Sequence, residues 1–315
     1  MKISINMKII SGPWGGGNNF YKSFKSYANQ NNIEVINHLN EPNIDIILII
    51  CNLSSSISAS YNVEEAINYS RKKKIPIVQR INECDERKNT KSVNSEIIEI
   101  SKKVDACVFV SDWLKDKIFQ KIDNDKKLSI KNGANKFIFN RKKLNLSRKD
   151  KIKIATHHFS NNILKGYNIY KKLDEILEKT EISEKFEFTI IGNHPKNIDF
   201  KNTNLKGVMS SEEISNELKK YDLYITASVN EPGGNHVVEA LSIGLPILYL
   251  NSGSMKEYIS NYGIEFKEEN LLEKLNYCYE NLSSLTKNME NYHYSSEIMC
   301  KKYFELFQRL INEKK

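Results

Sequence analysis

The chain has 315 residues, with 47 Lys plus Arg against 39 Asp plus Glu, 40% hydrophobic residues, 13 Gly and 6 Pro. That is too apolar for a disordered polypeptide, too poor in glycine for a collagen, and long enough for two domains that each bury a core. The longest apolar run, residues 44–51, is interrupted by Asp45 and falls far short of the roughly 20 residues that a membrane-spanning helix needs. The first six residues carry a charge but no apolar core of signal-peptide length, so a cytoplasmic protein is expected. Cys51, Cys84, Cys107, Cys278 and Cys300 are odd in number and form no C-x-x-C pair, which fits reduced, buried thiols better than disulfides or a zinc site. Residues 1–150 hold 26 basic and 16 acidic side chains, and the remainder 21 and 23. A positive first half suits an acidic partner such as nucleic acid, an anionic membrane surface or a phosphorylated substrate, and a solvated Lys-rich surface is the plainer reading.

Short runs of Ile and Val alternate with helix-period stretches, the pattern of a parallel α/β architecture. In the first half, strands are expected near residues 8–11, 33–37, 44–51, 75–79 and 106–110, with helices over 63–73 and 112–122. A charged, polar linker follows at 141–151. The second half repeats the plan, with strands near 153–156, 186–191, 223–226 and 247–250. From about Ser295 a helical tail places Tyr303, Leu306, Phe307 and Leu310 at three- and four-residue spacing, a stripe that must cover something apolar. The expected domains are 1–143 and 144–292, with a terminal helix at 293–315.

In open parallel sheets ligands bind beyond the carboxyl ends of the strands, so the loops there carry the chemistry. The first is Ser11-Gly12-Pro13-Trp14-Gly15-Gly16-Gly17, where Gly15, Gly16 and Gly17 permit close approach of a ligand to backbone N–H groups ahead of a helix. It is neither a dinucleotide fingerprint nor a Gly-Lys-Ser/Thr phosphate loop. The most informative stretch runs from Ser228 to Pro246. A buried strand ends in a polar loop holding Glu231, Gly233 and Gly234, and a helix follows from Asn235, a good cap, to Gly244, a good stop. Glu239 lies one turn beyond Asn235 on the same face. Two carboxylates thus flank a donor-rich helix start, which suits a ligand with both phosphate and hydroxyl groups, although solvated acids favoured by the helix dipole would look the same.

The Glu231/Glu239 spacing, E-x7-E, followed by Ala-Leu-Ser-Ile-Gly-Leu-Pro, resembles the donor site of retaining GT-B glycosyltransferases of the family-4 type, the glycosyl transferases group 1. Asn132-Gly133-Ala134-Asn135 with Phe139, Lys165-Gly166, and Ile190-Ile191-Gly192 resemble further motifs of that family, in its order. The resemblance implies two Rossmann-like β/α/β domains facing across a cleft, the first for acceptor and the second for a nucleotide-sugar, with the terminal helix returning to the first. It implies that Glu239 binds the ribose hydroxyls, that Glu231 contacts the transferred sugar, and that Lys165 neutralises the diphosphate. Backbone groups of Gly233, Gly234, Asn235, His236, Val237 and Val238 would serve sugar and diphosphate, with Gly192 nearby and Gly15–Gly17 approaching from the other domain. It further implies transfer with retention to a glycan or lipid-linked acceptor, with no cofactor beyond the donor and no bound metal.

The sequence departs from the family pattern where an Arg usually precedes the Lys: residues 156–165 contain none, leaving His157, His158 or Ser160 as substitutes. Adjacent histidines at a strand end point to opposite faces, so no metal site is expected from them. Arg80, in a charged segment after a strand, is the expected acceptor-side contact, and His38 stands in no motif. The basic first half would favour peripheral contact with an anionic membrane, at its inner face, during polysaccharide biosynthesis. A GT-B nucleotide-sugar epimerase is one alternative. A nucleic-acid-binding protein is another, weakened because Lys and Arg are not interleaved with aromatics and the second half is acidic. A periplasmic-type sugar-binding protein is disfavoured by the missing export signal.

Overall fold

Aliphatic runs buried on both faces build two parallel six-stranded sheets in the computed structural model, which describes residues 1–10, 16–53, 55–143 and 150–314. The chain divides into unit 1, Met1–Asn132 with Ser296–Lys315, and unit 2, Gly133–Ser295. Unit 1 contains β1 (Lys2–Ile5), α1 (Gly16–Gln30), β2 (Glu34–Ile36), β3 (Ile46–Ile49), α2 (Val63–Lys73), β4 (Ile77–Ile81), α3 (Asp85–Lys88), α4 (Val93–Ser101), β5 (Ala106–Phe109) and β6 (Lys127–Ser129). The strand order is β2-β1-β3-β4-β5-β6. Central strands such as β3 and β5 are buried at every residue, as a sheet covered on both faces requires.

Several expectations for this half are corrected. The first strand begins at Lys2, not at residue 8: Ile3 and Ile5 are fully buried, and Ile3 pairs with Ile46 in the middle of the sheet. Lys2, whose charge obscured the strand, is paired with Glu34 and Glu41 at the strand's start. Strand β4 runs on to Ile81, so Arg80 lies inside the sheet and not in the loop after it. The helix expected over 112–122 contracts to a wide turn, Leu114–Ile118, in which the Phe119 amide reaches five residues back to the Leu114 carbonyl at 2.9 Å.

Unit 2 contains β7 (Ile152–His158), α5 (Tyr167–Ile176), α6 (Thr180–Ser183), β8 (Phe186–Gly192), β9 (Thr203–Lys206), α7 (Ser211–Leu218), β10 (Leu223–Thr226), α8 (Asn235–Ile243), β11 (Ile247–Leu250), α9 (Met255–Ile259), β12 (Gly263–Phe266) and α10 (Leu271–Asn288). The order is β12-β11-β10-β7-β8-β9. Alternate residues feed two cores: Leu223 and Ile225 join Tyr167, Tyr170 and Phe188, whereas Tyr224 joins Val237, Leu241 and Met255. The segment ahead of β7 belongs here too, earlier than the expected boundary at 143. Ala134 and Phe139 enter the second of these cores, Ser215 Oγ donates to the Ile138 carbonyl at 2.6 Å, and the Lys142 amide donates to Ile243 at 2.9 Å. Residues 144–149 of the expected linker lie outside the described residues.

After unit 2 the chain returns to unit 1 as α11 (Ser296–Glu313). Its expected stripe is buried, and Tyr303 meets Phe20 of α1 edge-on at 5.4 Å; Phe304, outside that stripe, stacks on Phe24 with centroids 4.9 Å apart. All five cysteines are free and buried, and burial pushes the thiols of Cys84, Cys107 and Cys278 up to about 12, which keeps them protonated.

One carboxylate ties α7 to the edge of the second sheet. Burial alone would raise the pKa of Glu217, but donors from Lys206 on β9, Lys220 and Tyr221 outweigh it and hold the group at about 2, down from 4.5. A depressed carboxylate stabilises the fold fully above about pH 4.5, and that contribution is lost as pH falls towards 2. Discounted for the exposure of the two lysines, Glu217→Gln is expected to cost about 2 kcal/mol at pH 7. Urea unfolding at stepped pH should show the gap to wild type closing below pH 4.5, and a gap independent of pH would remove this account.

Candidate functional site

Three strand ends of unit 2 deliver loops to one place. Beyond β7, Asn162 Oδ1 accepts the Leu164 amide at 2.9 Å, forming a tight turn that ends at Gly166. Gly166 has φ +98°, and a Cβ there would lie 2.6 Å from the backbone of Ala227 at the end of β10, so only glycine allows these loops to meet. The meeting is sealed by the Val229 amide, which donates to the Leu164 carbonyl at 2.8 Å. Lys165 is thereby carried to Glu231, and its Nζ lies 2.9 Å from Glu231 Oε2. The loop after β11 holds Glu231 from the other side. Ser254 donates to the Glu231 carbonyl through both its amide, at 2.9 Å, and its Oγ, at 2.8 Å. Gly253, at φ +62°, packs so closely that a Cβ would come within 2.5 Å of Glu231 backbone atoms.

Helix α8 starts directly after this loop, and its N-cap is Gly234, so Asn235 is the first helical residue and not the cap. The helix stops at Gly244, φ +92°, as its sequence suggests. Glu239 is 4% exposed and its Oε2 lies 2.7 Å from His157 Nε2. His236 is also buried, with Nε2 3.0 Å from Thr226 Oγ1. The start of α8 is therefore flanked by the Lys165–Glu231 pair in the loop before it and by the buried Glu239 one turn into the helix, an arrangement suited to an anion carrying hydroxyl groups.

The remaining expected residues of unit 2 have mixed fates. Val237 and Val238 are core side chains whose amides turn back to the Gly234 carbonyl, at 3.1 and 3.3 Å, so their backbones close the first helical turn. His158 is 4% exposed and stacked on Tyr170, with its Nε2 3.0 Å from the phenol oxygen. Ser160 is exposed, and its Oγ accepts the Asn162 amide within its own turn. Gly192, φ +106°, allows β8 to pass the His158 carbonyl, which a Cβ would meet at 2.1 Å. Gly233 is half-buried. Sequence reasoning missed Gly253 and Ser254, although a Ser-Gly-Ser segment directly after a strand was a visible signal, and it missed the structural partner of His157, which no local pattern encodes.

Residues 136–295 match the sequence profile of the family described as glycosyl transferases group 1, just over half of the chain. The chain belongs to this family. It is accordingly a glycosyltransferase, an enzyme of sugar transfer. No curated protein matches it by sequence. Among solved structures it is similar to a glycosyltransferase from Rickettsia africae ESF-5, at 16% identity over 98% of each chain and a TM-score of 0.67. It is also similar to Anabaena HepE, solved in complex with UDP-glucose, at 13% identity over 98% of this chain and 100% of that one, TM-score 0.70. Sucrose-phosphate synthase from Thermosynechococcus elongatus matches at 10% identity over 99% of both, again with a TM-score of 0.70. At such identities the likeness is one of fold, the α/β pairing of two Rossmann-like units known as GT-B.

In unit 1 of this glycosyltransferase the strand ends of β1, β3 and β4 surround a cavity of about 330 Å³. Its walls include Gly16 and Gly17 at the start of α1, Asn52, Ser56 and Asn82, and the paired Glu83 and Lys88. Gly15 lies outside the described residues. Arg80 is not part of this cavity wall. It is 2% exposed, donates from Nη2 to Asn132 Oδ1 at 2.8 Å, and holds its guanidinium 4.2 Å over the Phe20 ring. The expected acceptor contact is thus an internal strut, because the two-residue extension of β4 turned its side chain into the sheet's covered face. Among the described residues, no helix is long and apolar enough to cross a membrane.

Proposed function

We propose that this glycosyltransferase takes its sugar from a nucleotide-sugar bound by unit 2 and passes it to a glycan or lipid-linked acceptor, with retention of configuration and without a bound metal. The observation that carries the reading is the pair of carboxylates at the start of α8, each buried and each held by a basic partner: Glu239 by His157 and Glu231 by Lys165. In this reading Glu239 accepts the ribose hydroxyls, Glu231 contacts the sugar, and Lys165 with the α8 dipole takes up charge on the departing diphosphate. HepE, solved with UDP-glucose, supports a nucleotide-sugar as donor. The cavity of unit 1, whose wall mixes Asn and Ser side chains with Met7, Ile10 and Ile57, suits an acceptor sugar.

A thermal-shift panel of UDP, GDP, ADP and CDP, each run with and without EDTA, tests the donor half without needing the acceptor. A ligand that binds the native state raises the melting temperature by mass action, so one nucleotide is expected to stabilise the protein at saturation. No shift from any of them, or a shift that EDTA abolishes, would overturn the donor or the metal-free part respectively. Turnover of the sugar nucleotide to an epimer with no acceptor present would favour the epimerase reading instead.

A further inference from the structure

Glu239 is held from outside its own helix. Its Oε2 meets His157 Nε2, which comes from β7, at 2.7 Å. The other ring nitrogen of His157 is engaged as well: Nδ1 lies 3.1 Å from the hydroxyl of Tyr224, on β10. That hydroxyl accepts the His157 backbone N–H at 3.0 Å, and its single proton faces Nδ1, with the His157 carbonyl more distant at 3.5 Å and the Thr156 side chain also within reach. All three side chains are at least nine-tenths buried. Burial pushes the Tyr224 phenol well above its ordinary value, so it keeps its proton and acts as donor. With Tyr224 donating to Nδ1, the imidazole proton resides on Nε2 and points at Glu239.

We propose that His157 is the positioning residue of the donor site: Tyr224 selects its tautomer, and its Nε2–H aims the Glu239 carboxylate at the nucleotide's ribose diol. The inference rests on the reading of Glu239 as the ribose ligand, and it adds a residue and a selectivity that the E-x7-E pattern does not contain. A carboxylate held in a fixed direction meets a pair of adjacent hydroxyls at low entropic cost, whereas a rotating one must be ordered on binding. The preference for ribose over deoxyribose therefore depends on a side chain that touches neither.

Calorimetric titration of wild type, His157→Ala, His157→Gln and Tyr224→Phe with UDP, GDP, ADP and CDP and their 2′-deoxy counterparts reads this directly. Wild type is expected to favour the ribonucleotide by about tenfold, the worth of one hydrogen bond to a charged group. His157→Ala should bring the ratio to within about twofold of unity, the ribonucleotide losing more affinity than the deoxy form, which keeps one of the two hydroxyls. His157→Gln, whose amide nitrogen reaches the place of Nε2, should keep most of the ratio, and Tyr224→Phe should fall between. If the alanine variant does not fold, His157→Asn, too short to reach Glu239, takes its place. A wild-type ratio retained in the loss variant overturns the proposal, as does an equal weakening of both nucleotide forms that glutamine fails to rescue. A wild-type ratio of one removes the ribose role of Glu239 and, with it, this inference.

Discussion

Glu239→Ala is expected to abolish nucleotide-dependent stabilisation, with affinity falling by about a hundredfold or more. The carboxylate supplies charge-assisted hydrogen bonds in a site that is almost closed to water, and losing two such bonds costs about 3 kcal/mol. Alanine also leaves His157 facing a gap, so part of any loss could be structural. Glu239→Gln separates the two effects, because the amide fills the same volume and still accepts from His157. The glutamine variant should melt within a few degrees of wild type without ligand and still bind nucleotide far more weakly. A glutamine variant with wild-type affinity would show that no charge at this position meets the donor.

The second large effect is expected at Glu231, where the loss should fall on turnover and not on binding. Glu231→Gln keeps the backbone clamp from Ser254 and Gly253 and removes only the charge opposite Lys165. Transfer is expected to fall by about 10²–10³, the range seen when a preorganised electrostatic contact to a reacting centre is lost. Nucleotide affinity should change by less than about threefold, and could rise, since Lys165 would then be released to the diphosphate. Steady-state kcat and KM for the donor, set beside direct nucleotide titration, decide the matter. Binding lost with turnover preserved would mean that the roles of Glu231 and Glu239 are exchanged.

How far the sequence spoke depended on how local each signal was. The buried strands were legible because β3, β5, β8 and β10 are dense in aliphatic residues, and α8 was legible because a polar Gly-Gly loop precedes it and a left-handed Gly244 ends it. The edge strands β6, β9 and β12 were not, since Lys127–Ser129 and Thr203–Lys206 are polar and none of their residues is buried, while β12 buries only Phe266. Such strands are fixed by pairing with a neighbour and carry little signal of their own. Arg80 was misread by a two-residue error at the end of β4, enough to move a side chain from a loop to the interior. In the candidate site, Glu231, Glu239 and Lys165 were singled out by spacing and resemblance. Their supports, His157, Tyr224, Ser254 and Gly253, lie up to 82 residues away along the chain from the groups they hold, and only the sheet order brings them together.

The return of α11 to α1 also sets an order of events during synthesis. Phe20 and Phe24 leave the ribosome early, but the aromatic residues that cover them, Tyr303, Phe304 and Phe307, follow only after all of unit 2 has emerged. Until α11 emerges the first unit therefore exists with an uncovered aromatic face, while the second is continuous in sequence and has its whole core to hand. The nascent chain should thus complete its later half first, reversing the usual N-to-C progression, and a ribosome stalled short of Ser296 would display a sticky intermediate that chaperones recognise.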